Sequence, residues 1–378
     1  MQLKHAMASA KVTAGSTHNF YLYPARFSPE IARTVIELFS SPGDWILDPF
    51  MGGGTAVIEA LSNGRSVVGV DLNRLAHFVA RVRTTPVSSK DERAIRRWAQ
   101  RAAMRLGKPG SVPSSVRNLP AGMANLMAQA MRTAARLRSA RRRAFARAAL
   151  LRLGQWALDC KDRRPRGKKI LERLPSLTQE MLAGLREFEA ACRSTGLMRS
   201  DIHSRCRLLC RSAAGLEQDK RLRNLHGQAQ LVFTSPPYPS VHVLYHRWQV
   251  RGRRETPAPY WIAQLRDGRP ASYFTGGSRT PTGERSYFTM ITAVFSSINR
   301  LLTRDGLVVQ LVGFTNARRQ LPRYLKAMRA AGFEELQSEA LRERRLCRRV
   351  PNRRWYARVK GAVDASSEIL LIHRLRRP

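Results

Sequence analysis

A strand, a glycine turn and a helix follow one another early in the chain, and this succession limits the fold more than any other feature. Residues 45–47 are apolar, and they lead into Asp48-Pro49-Phe50-Met51-Gly52-Gly53-Gly54-Thr55. A helix is predicted over residues 55–61, directly behind the glycines. A second apolar run over residues 66–70 ends at Asp71. Strand–helix–strand is the unit of a doubly wound parallel sheet, so the sequence predicts an α/β fold.

The rest of the α/β pattern extends the predicted sheet. Apolar residues at helical spacing predict a helix over residues 30–39, in front of the first strand. After residue 205 the pattern returns, with strands predicted over 206–210, 228–233 and 307–312 and helices over 287–302 and 322–331. Two late runs, 335–341 and 368–373, are predicted to finish the sheet as a terminal β-hairpin. The expected fold is a doubly wound, Rossmann-like sheet.

A stretch of different character, residues 85–204, interrupts the α/β pattern. Alanine, arginine and leucine dominate it, and long helical patterns occur at residues 123–137 and 143–158. We interpret it as a helical insertion, with disorder as the alternative, because apolar spacing persists as far as Leu185. The predicted domains are residues 1–84 as the first part of the sheet domain, 85–204 as the basic insertion, and 205–378 as the second part.

The chain is strongly basic, which limits the classes of partner. Its 378 residues include 67 Lys and Arg against 27 Asp and Glu, a formal net charge of +40. Such a charge repels itself, so it indicates a polyanionic partner, nucleic acid before an anionic membrane surface. No apolar stretch approaches the length of a bilayer span, and residues 1–7 lack the apolar core of a secretory signal. Five irregularly spaced cysteines favour reduced thiols in the cytoplasm.

A second motif, Ser235-Pro236-Pro237-Tyr238, follows another apolar run that ends at Thr234. Together with the glycine turn after Asp48, this motif resembles the S-adenosylmethionine-dependent amino-methyltransferases of DNA, the cytosine-N4 and adenine-N6 type. The resemblance covers residues 18–84 and 205–378 but not the insertion. It implies a methyltransferase sheet, S-adenosyl-L-methionine as the cofactor and DNA as the partner. It is also compatible with restriction–modification and a partner restriction enzyme or other defence-system component.

The resemblance also implies cofactor contacts. Asp71, at the end of the second strand, can accept both ribose hydroxyls, unless it only caps the helix that begins near Asn73. Residues 18–27 resemble the segment that these enzymes fold over the methionine end of the cofactor, although Phe27 could equally be a core residue. Asp48 is expected near the methionine ammonium. The implied cofactor-binding residues are Tyr23, Pro24, Arg26, Phe27, Asp48, Pro49, Phe50, Gly52, Gly53, Gly54, Thr55 and Asp71.

The predicted catalytic residues are Ser235, Pro236, Pro237 and Tyr238, and their pattern has a physical logic. An exocyclic amine of a base is a poor nucleophile, because its lone pair is delocalised into the ring. Acceptors that hold its two hydrogens draw the nitrogen toward tetrahedral geometry, and the Ser235 oxygen and the Pro236 carbonyl are suitable acceptors. The prolines stiffen the loop, and Tyr238 offers a ring for stacking on a base flipped out of the duplex.

Several functions share these motifs. Serine at the first position, Ser235, indicates cytosine N4 as the methylated atom, with adenine N6 as the alternative. An RNA methyltransferase, a protein-glutamine methyltransferase and a nucleic-acid-binding protein with an inactive methyltransferase fold stay open as rivals. The cofactor motif precedes the catalytic motif here, whereas many enzymes with this catalytic motif have the reverse order. Ser212-Ala213 stand where relatives often carry an acid for the adenine of the cofactor.

Three residues, His203, Cys206 and Cys210, invite a zinc interpretation, which we reject. Alternation on the predicted strand would place Cys206, Leu208 and Cys210 on one buried face, and no fourth ligand is near in the sequence. We therefore predict no metal site.

Contacts to DNA are expected outside the two motifs. Basic runs at residues 141–143, 163–166 and 251–254 are candidates for phosphate contact. Residues 250–285 have the composition of a long loop. Aromatics here and just before it alternate with arginines, which suits a wall around a flipped base or an anchor to the core; they are Tyr245, Trp248, Tyr260, Trp261 and Tyr273. The insertion is predicted to bind DNA and to choose the sequence, with residues 250–285 as the alternative for sequence choice. No motif indicates the recognition sequence or the oligomeric state.

Overall fold

Strands and helices alternate toward both ends of the chain, and helices fill most of the middle. The computed structural model describes residues 2–8, 15–22, 27–104, 112–161, 165–239, 242–244, 247–250, 254–266, 273–275, 280–337, 345–349 and 367–376. The strands are β1 (Trp45–Asp48), β2 (Ser66–Asp71), β3 (Cys206–Cys210), β4 (Ala229–Thr234), β5 (His242–Leu244), β6 (Trp248–Val250), β7 (Arg254–Thr256), β8 (Tyr273–Thr275), β9 (Leu302–Gly313), β10 (Phe333–Glu335), β11 (Cys347–Arg349) and β12 (Ser367–Leu375).

The helices cover the greater part of the remaining described residues. They are α1 (Gln2–Ala8), α2 (Pro29–Phe39), α3 (Thr55–Ser62), α4 (Arg74–Arg83), α5 (Ser89–Met104), α6 (Ala121–Ala135), α7 (Ala140–Leu158), α8 (Gly167–Ser194), α9 (Ile202–Arg205), α10 (Ala258–Ala263), α11 (Pro281–Asn299) and α12 (Ala317–Ala330). Short 3-10 helices span Ser16–Asn19, Leu216–Gln218 and Lys220–Leu225. None of the described helices combines the length and the apolar composition that a membrane span requires.

Eight of the described strands form the central sheet. Its order is β10-β12-β9-β4-β1-β2-β3, and β11 also pairs with β12. Strands β3, β2, β1, β4 and β9 are parallel, and β12 runs antiparallel to β9, β10 and β11. The chain winds in opposite directions from β1 and β4, and such a switch point opens a crevice at the carboxyl ends of the strands. The fold is therefore α/β, doubly wound and Rossmann-like, as the sequence predicts.

Alternating side chains give the sheet two apolar faces. On one face, Ile46 of β1 and Phe233 of β4 are buried with residues of α1, α2 and α3. On the other face, Leu47 and Val232 are buried with residues of α11 and α12. A shift of one residue would turn each of these side chains to the opposite face, so burial on both faces fixes the register. That register brings the carboxyl ends of β1, β2 and β4 to one edge.

A third apolar core lies among the helices between β2 and β3. Helices α4 to α8 contribute to it, for example through Leu75, Ile95 and Leu150. Trp248 and Tyr260, which come from segments after β4, are buried in the same core. The helices between β2 and β3 are therefore packed together with part of the chain that follows the Ser235–Tyr238 motif.

Most of the predicted sheet elements are confirmed. The helix predicted at 30–39 and the strands at 45–47, 66–70, 206–210, 228–233 and 307–312 occur with small shifts of their ends. The late strands β10 and β12 are antiparallel neighbours, as expected for a terminal hairpin, although residues 338–341 lie outside the described residues. The sequence pattern therefore predicted the correct type, helix or strand, for these elements.

Two expectations from the sequence are wrong. Residues 250–285 are more than a loop, because β7 pairs with β6 as a hairpin and α10 follows it. The high Gly, Pro and Arg content hid these short elements. The predicted buried face of Cys206, Leu208 and Cys210 is also wrong, because β3 is an edge strand. Only Leu209 of this strand is buried, and Cys210 is exposed.

Candidate active site

The carboxyl ends of β1 and β4 lie side by side at the switch point of the sheet. β1 ends at Asp48, β4 ends at Thr234, and the two strands are parallel neighbours. The Thr234 hydroxyl donates a hydrogen bond of 2.7 Å to Asp48 Oδ1, across 186 residues of sequence. This bond joins the glycine turn that follows β1 to the Ser235-Pro236-Pro237-Tyr238 loop that follows β4. The two motifs therefore share one edge of the sheet.

Asp48 has a buried carboxyl group, and only one of its two oxygens accepts hydrogen bonds from the described residues. Its exposed fraction is 0%. Oδ1 also accepts a hydrogen bond from the Phe50 amide at 3.2 Å, whereas Oδ2 has no partner among the described residues. Burial raises the pKa of Asp48 to about 7. An open, buried carboxylate oxygen in the crevice fits the ammonium group that the sequence analysis predicts there.

The glycine turn has a backbone geometry that glycine adopts at low cost. Gly52 and Gly54 have φ angles of 49° and 81°, in the left-handed region. The turn is fastened to β2, because the Met51 amide donates to the Val70 carbonyl and the Gly52 amide donates to Asp71 Oδ2, both at 3.0 Å. Backbone conformation thus explains glycine at positions 52 and 54, and the turn lies at the end of β1 in contact with Asp71.

Asp71 ends β2 and accepts two backbone amides. Besides the Gly52 amide on Oδ2, Oδ1 accepts from the Asn73 amide at 2.7 Å. The cap of α4 is Asn73 itself, whose side chain accepts from the Leu75 and Ala76 amides, so Asp71 is not the capping residue. Burial raises the pKa of Asp71 to about 6. A carboxylate fixed at this strand end beside a glycine turn fits the ribose hydroxyls of a nucleoside.

The Ser235-Pro236-Pro237-Tyr238 loop begins at the residue after β4. Ser235 and Pro237 are half-buried, and Pro236 and Tyr238 are buried. The two prolines lack amide hydrogens and have fixed φ angles, which ends the strand and stiffens the loop. Ser235 Oγ lies 3.4 Å from the Tyr238 hydroxyl. Ser235 is thus partly exposed at the edge that carries Asp48.

Tyr238 is placed differently from the stacking platform that the sequence analysis predicts. Only 6% of the residue is exposed, and its hydroxyl donates to Glu368 of β12. The ring lies against Gly313, where an added Cβ would come within 2.8 Å of ring atoms. Arg348 lies 3.8 Å from the second oxygen of Glu368. Tyr238 therefore anchors the loop to β9 and β12, and stacking on a base stays a prediction that requires the ring to move.

Arg83 is a positioning residue that sequence reasoning missed. Its guanidinium is buried and donates to the Gly53 carbonyl in the glycine turn. It also donates to the carbonyls of His18, at 2.9 Å, and Tyr21. One buried cation thus holds the turn against residues 18–21, the start of the segment predicted to cover the cofactor. An arginine in the last turn of an amphipathic helix carries no sequence signal for this role.

The segment predicted to cover the cofactor is described only in part. Tyr23, Pro24 and Arg26 lie outside the described residues. Phe27 is buried, and its ring packs on Phe233 with centroids 4.6 Å apart, which favours the core role for this residue. The other predicted turn residues are buried or half-buried at the edge of the sheet, namely Pro49, Phe50, Gly53 and Thr55.

Some residues predicted to contact nucleic acid are committed to the fold. Trp248 Nε1 donates to the Tyr21 hydroxyl at 3.2 Å, and the Tyr260 hydroxyl accepts from the side-chain amide that caps α4 at 2.7 Å. These aromatics therefore anchor the segment after β4. In the basic run 141–143, Arg142 forms an ion pair with Asp91 at 2.5 Å. Residues 163–164 and 251–253 lie outside the described residues.

The end of β3 offers little to the adenine of a cofactor. Ala213 is buried, and Arg211 after the strand pairs with Asp219 at 3.0 Å. The Arg221 side chain also binds Asp219 and holds the pKa of that carboxyl well below its usual range. The described residues contain no group of three or more His, Cys, Asp and Glu side chains arranged for a metal ion.

Comparison with known proteins bears on the first half of this site. Residues 6–80 match the family model described as DNA methylase, the N6/N4 type. The Type II methyltransferase M.MvaI of Kocuria varians is 41% identical over 83 residues, which are 21% of this chain and 18% of that protein. M.BsoBI of Geobacillus stearothermophilus, also a Type II methyltransferase, is 41% identical over 64 residues, 17% of this chain and 13% of that protein.

The name of a third relative gives a different nucleic acid, tRNA, as its substrate. A tRNA (guanine(10)-N2)-dimethyltransferase of Methanothermobacter thermautotrophicus is 44% identical over 54 residues, 14% of this chain and 16% of that protein. The matched segments thus span less than a fifth of the length of each of these three relatives. TrmN from Thermus thermophilus superposes with a TM-score of 0.33 at 13% identity, over 92% of this chain and 49% of that one, a likeness too loose to add to the sheet topology.

Proposed function

We propose, from the match of residues 6–80 to the N6/N4 DNA methylase family, that the chain is a site-specific DNA methyltransferase. The methyl donor is S-adenosyl-L-methionine, and the acceptor is the exocyclic amine of a base flipped out of the duplex, cytosine N4. The observation that carries the proposal is the 2.7 Å hydrogen bond from Thr234 to Asp48. It unites the strand end of the matched segment with the loop that would hold the base.

The residues at the ends of β1 and β2 would hold the cofactor. The open Oδ2 of Asp48 suits the ammonium of the methionine moiety, and Asp71 suits the ribose hydroxyls. Arg83 holds the glycine turn in place through the Gly53 carbonyl. When bound, S-adenosyl-L-methionine supplies an electrophilic methyl group on its sulfonium centre.

The loop after β4 would activate the amine of the base. Ser235 Oγ and the Pro236 carbonyl accept the two amine hydrogens, which draws the nitrogen lone pair out of conjugation with the ring. Tyr238, held by Glu368, fixes the loop so that both acceptors keep their positions. The amine becomes acidic only after it has gained the methyl group, so the loop needs no strong base.

The chemistry of Ser235 favours cytosine N4 within this proposal. Serine at this position is associated with cytosine N4 in the enzymes that the motif resembles, whereas Asp or Asn is more usual for adenine N6. Adenine N6 is the alternative, since both amines present two hydrogens to the same pair of acceptors.

A second candidate function is methylation of RNA. The tRNA dimethyltransferase relative supports it, because its matched segment is as similar in identity as those of the DNA enzymes. The net charge of +40 suits either polyanion. The matching family model and most of the relatives named here favour DNA.

A transfer assay with methyl-labelled S-adenosyl-L-methionine tests the proposal. The purified chain is offered plasmid duplex, total tRNA, ribosomal RNA and a glutamine-rich protein substrate in parallel. We expect label in the duplex, at a number of sites per plasmid that saturates, and none with the Ser235→Ala variant. Label in RNA or protein alone would overturn the proposal, and so would cofactor binding without transfer to any of the four.

A further inference from the structure

We propose that the groove between α5 and α6 binds the sugar–phosphate backbone of duplex DNA, away from the site where the base reacts. The inference rests on the proposed function, because it takes duplex DNA as the substrate. The groove has a volume of about 880 Å³ and lies among the helices between β2 and β3. The family match ends at residue 80 and assigns no role to these helices.

The floor of the groove is apolar and fixed. Trp98 of α5 is 4% exposed, and its Nε1 donates to Thr133 Oγ1 of α6 at 3.1 Å. The Thr133 hydroxyl in turn donates to the Ala130 carbonyl at 2.9 Å, so it is held by its own helix. Leu126 of α6 and Leu171 of α8 complete the floor. A hydrogen bond therefore joins the two helices beneath the groove, and this contact fixes the width of the groove.

Four arginines form the rim. Arg97 and Arg101 come from α5, and Arg132 and Arg136 come from α6. In each pair the residues are four positions apart, so they lie on one helix face, about 6 Å apart along the axis. All four residues are exposed, and none of the described residues that line the groove is Asp or Glu. The groove is thus a concentration of positive charge over an apolar floor.

Other arginines of these helices are neutralised by carboxylates. Arg142 pairs with Asp91, and Arg186 pairs with Glu92, at 2.5 and 2.7 Å. By contrast, Arg97, Arg101 and Arg136 make no ion pair with any residue that the structure describes. Arg142, from the basic run 141–143, is therefore less suited to phosphate contact than an arginine without a carboxylate partner. The rim arginines, which are spread through the sequence, are better placed for that role.

Charge selects the occupant of the groove. Clustered guanidinium groups repel one another unless an anion lies between them, and arginine binds phosphate through two parallel hydrogen bonds. Residues 105–111, which follow α5, include Arg105 and Lys108 and no acid, so charge disfavours this segment as the occupant. A DNA backbone supplies a row of phosphates, and contacts of this kind position a protein on the duplex.

A salt titration of DNA binding tests the groove. The variant carries Arg97→Gln, Arg101→Gln and Arg136→Gln, and the control carries Arg318→Gln, Lys326→Gln and Arg329→Gln on α12, which are exposed and remove the same charge. Each phosphate contact contributes about 0.9 to the slope of log K against log salt, so we expect the slope to fall by about three in the groove variant. The control should stay within about one of the wild type.

The outcomes separate this inference from the proposed function. We expect the groove variant to bind S-adenosyl-L-methionine as the wild type does and to keep its single-turnover rate at saturating DNA. Methyl transfer together with a slope equal to that of the control would overturn the groove alone. A lowered slope without methyl transfer by the wild type would overturn the proposed function and support the groove. If the groove variant lowers the salt slope for duplex RNA but not for duplex DNA, DNA is not the occupant of the groove. If the wild-type chain does not bind DNA, both the proposed function and the inference about the groove are wrong.

Discussion

The Asp48 carboxyl group, which we propose as the partner of the cofactor's ammonium group, opposes folding when it is ionised. Burial raises its pKa from 3.8 to about 7. Between about pH 4 and pH 7 the folded chain therefore binds more protons than the unfolded chain, so the stability that this group contributes falls as the pH rises through that window. At pH 8 the carboxylate is ionised and buried, and its Oδ2 has no partner among the described residues. A cation bound to that oxygen would offset the cost.

We expect Asp48→Asn to raise the free energy of unfolding at pH 8 while it weakens cofactor binding. The asparagine oxygen can keep the hydrogen bonds from Thr234 and Phe50, and the buried charge is removed. The gain should be on the order of 2–4 kcal/mol at pH 8 and should vanish near pH 4. Urea unfolding at both pH values measures it, and calorimetry should show cofactor affinity at least roughly tenfold lower. A variant that is less stable at pH 8, or that binds cofactor normally, would contradict this account of Asp48.

Removal of one hydroxyl tests the anchoring role of Tyr238. Tyr238→Phe loses the hydrogen bond to Glu368, so the loop that carries Ser235 and Pro236 is held less tightly. Since small displacements of reacting groups are costly, we expect the single-turnover rate to fall by roughly tenfold to a hundredfold. DNA affinity, measured by fluorescence anisotropy, should change less than about twofold, because phosphate contacts dominate it. An unchanged rate, or a loss confined to DNA affinity, would remove Tyr238 from the catalytic loop's function.

The sequence predicts the positions of candidate site residues where the structural pattern is local. Asp48 and Asp71 end strands, and parallel strands that neighbour each other end at one edge, so their convergence follows from the strand pattern. Arg83 and Glu368 could not be found in this way. Their partners are tertiary, for example His18 at a separation of 65 residues and Tyr238 at 130. No periodic pattern encodes such a contact.

At the scale of elements, α8 supports the segment that precedes the cofactor motifs. The 3-10 helix Ser16–Asn19 approaches α8 so closely that a Cβ on Gly184 would lie 2.2 Å from the Ser16 carbonyl oxygen. The Ser16 amide also donates to Glu187 of α8 at 2.7 Å. Arg83 binds the carbonyls at His18 and Tyr21 from the other side. The position of this segment is therefore set by two helices together.

We expect Gly184→Ala to lower cofactor affinity, because the methyl group forces residues 16–19 away from α8. The overpacking should cost about 1–3 kcal/mol of stability. Gly122→Ala is the matched control, since nothing lies within 4 Å of a Cβ at that helical position and alanine should stabilise α6 by roughly 0.5–1 kcal/mol. Calorimetric titration and thermal unfolding of both variants measure the effects. Equal cofactor affinity in the two variants would show that α8 does not support the binding segment.

Element length decides how much of the fold the sequence predicts. Helices such as α6 and α8 have enough turns for apolar periodicity to emerge, and β1, β2 and β4 are apolar runs with clear ends. The hairpin of β6 and β7 has strands of three residues each, which is too short for a period to be recognised. The partial exposure of β3 depends on its place at the edge of the sheet, and strand order is a property of the whole fold.

At the scale of the whole molecule, helices α5 to α8 are not a detachable addition. They share a core with α4, and Trp248 and Tyr260 from the segments after β4 enter the same core. A flexible linker in place of residues 85–204 would expose the apolar face of α4 beside Asp71. Loss of DNA binding after such a deletion would therefore not identify a DNA contact, whereas exchange of exposed rim arginines leaves the core intact.

The identity of the methylated nucleoside tests the central claim most directly. Duplex DNA is incubated with the chain and methyl-labelled S-adenosyl-L-methionine, digested to nucleosides and analysed by mass spectrometry, with Ser235→Ala as the control. The account predicts labelled N4-methylcytosine from the wild-type chain and none from the variant. N6-methyladenine alone would keep the amine chemistry and overturn the assignment to cytosine. A label on ring carbon, or DNA without label, would contradict the account.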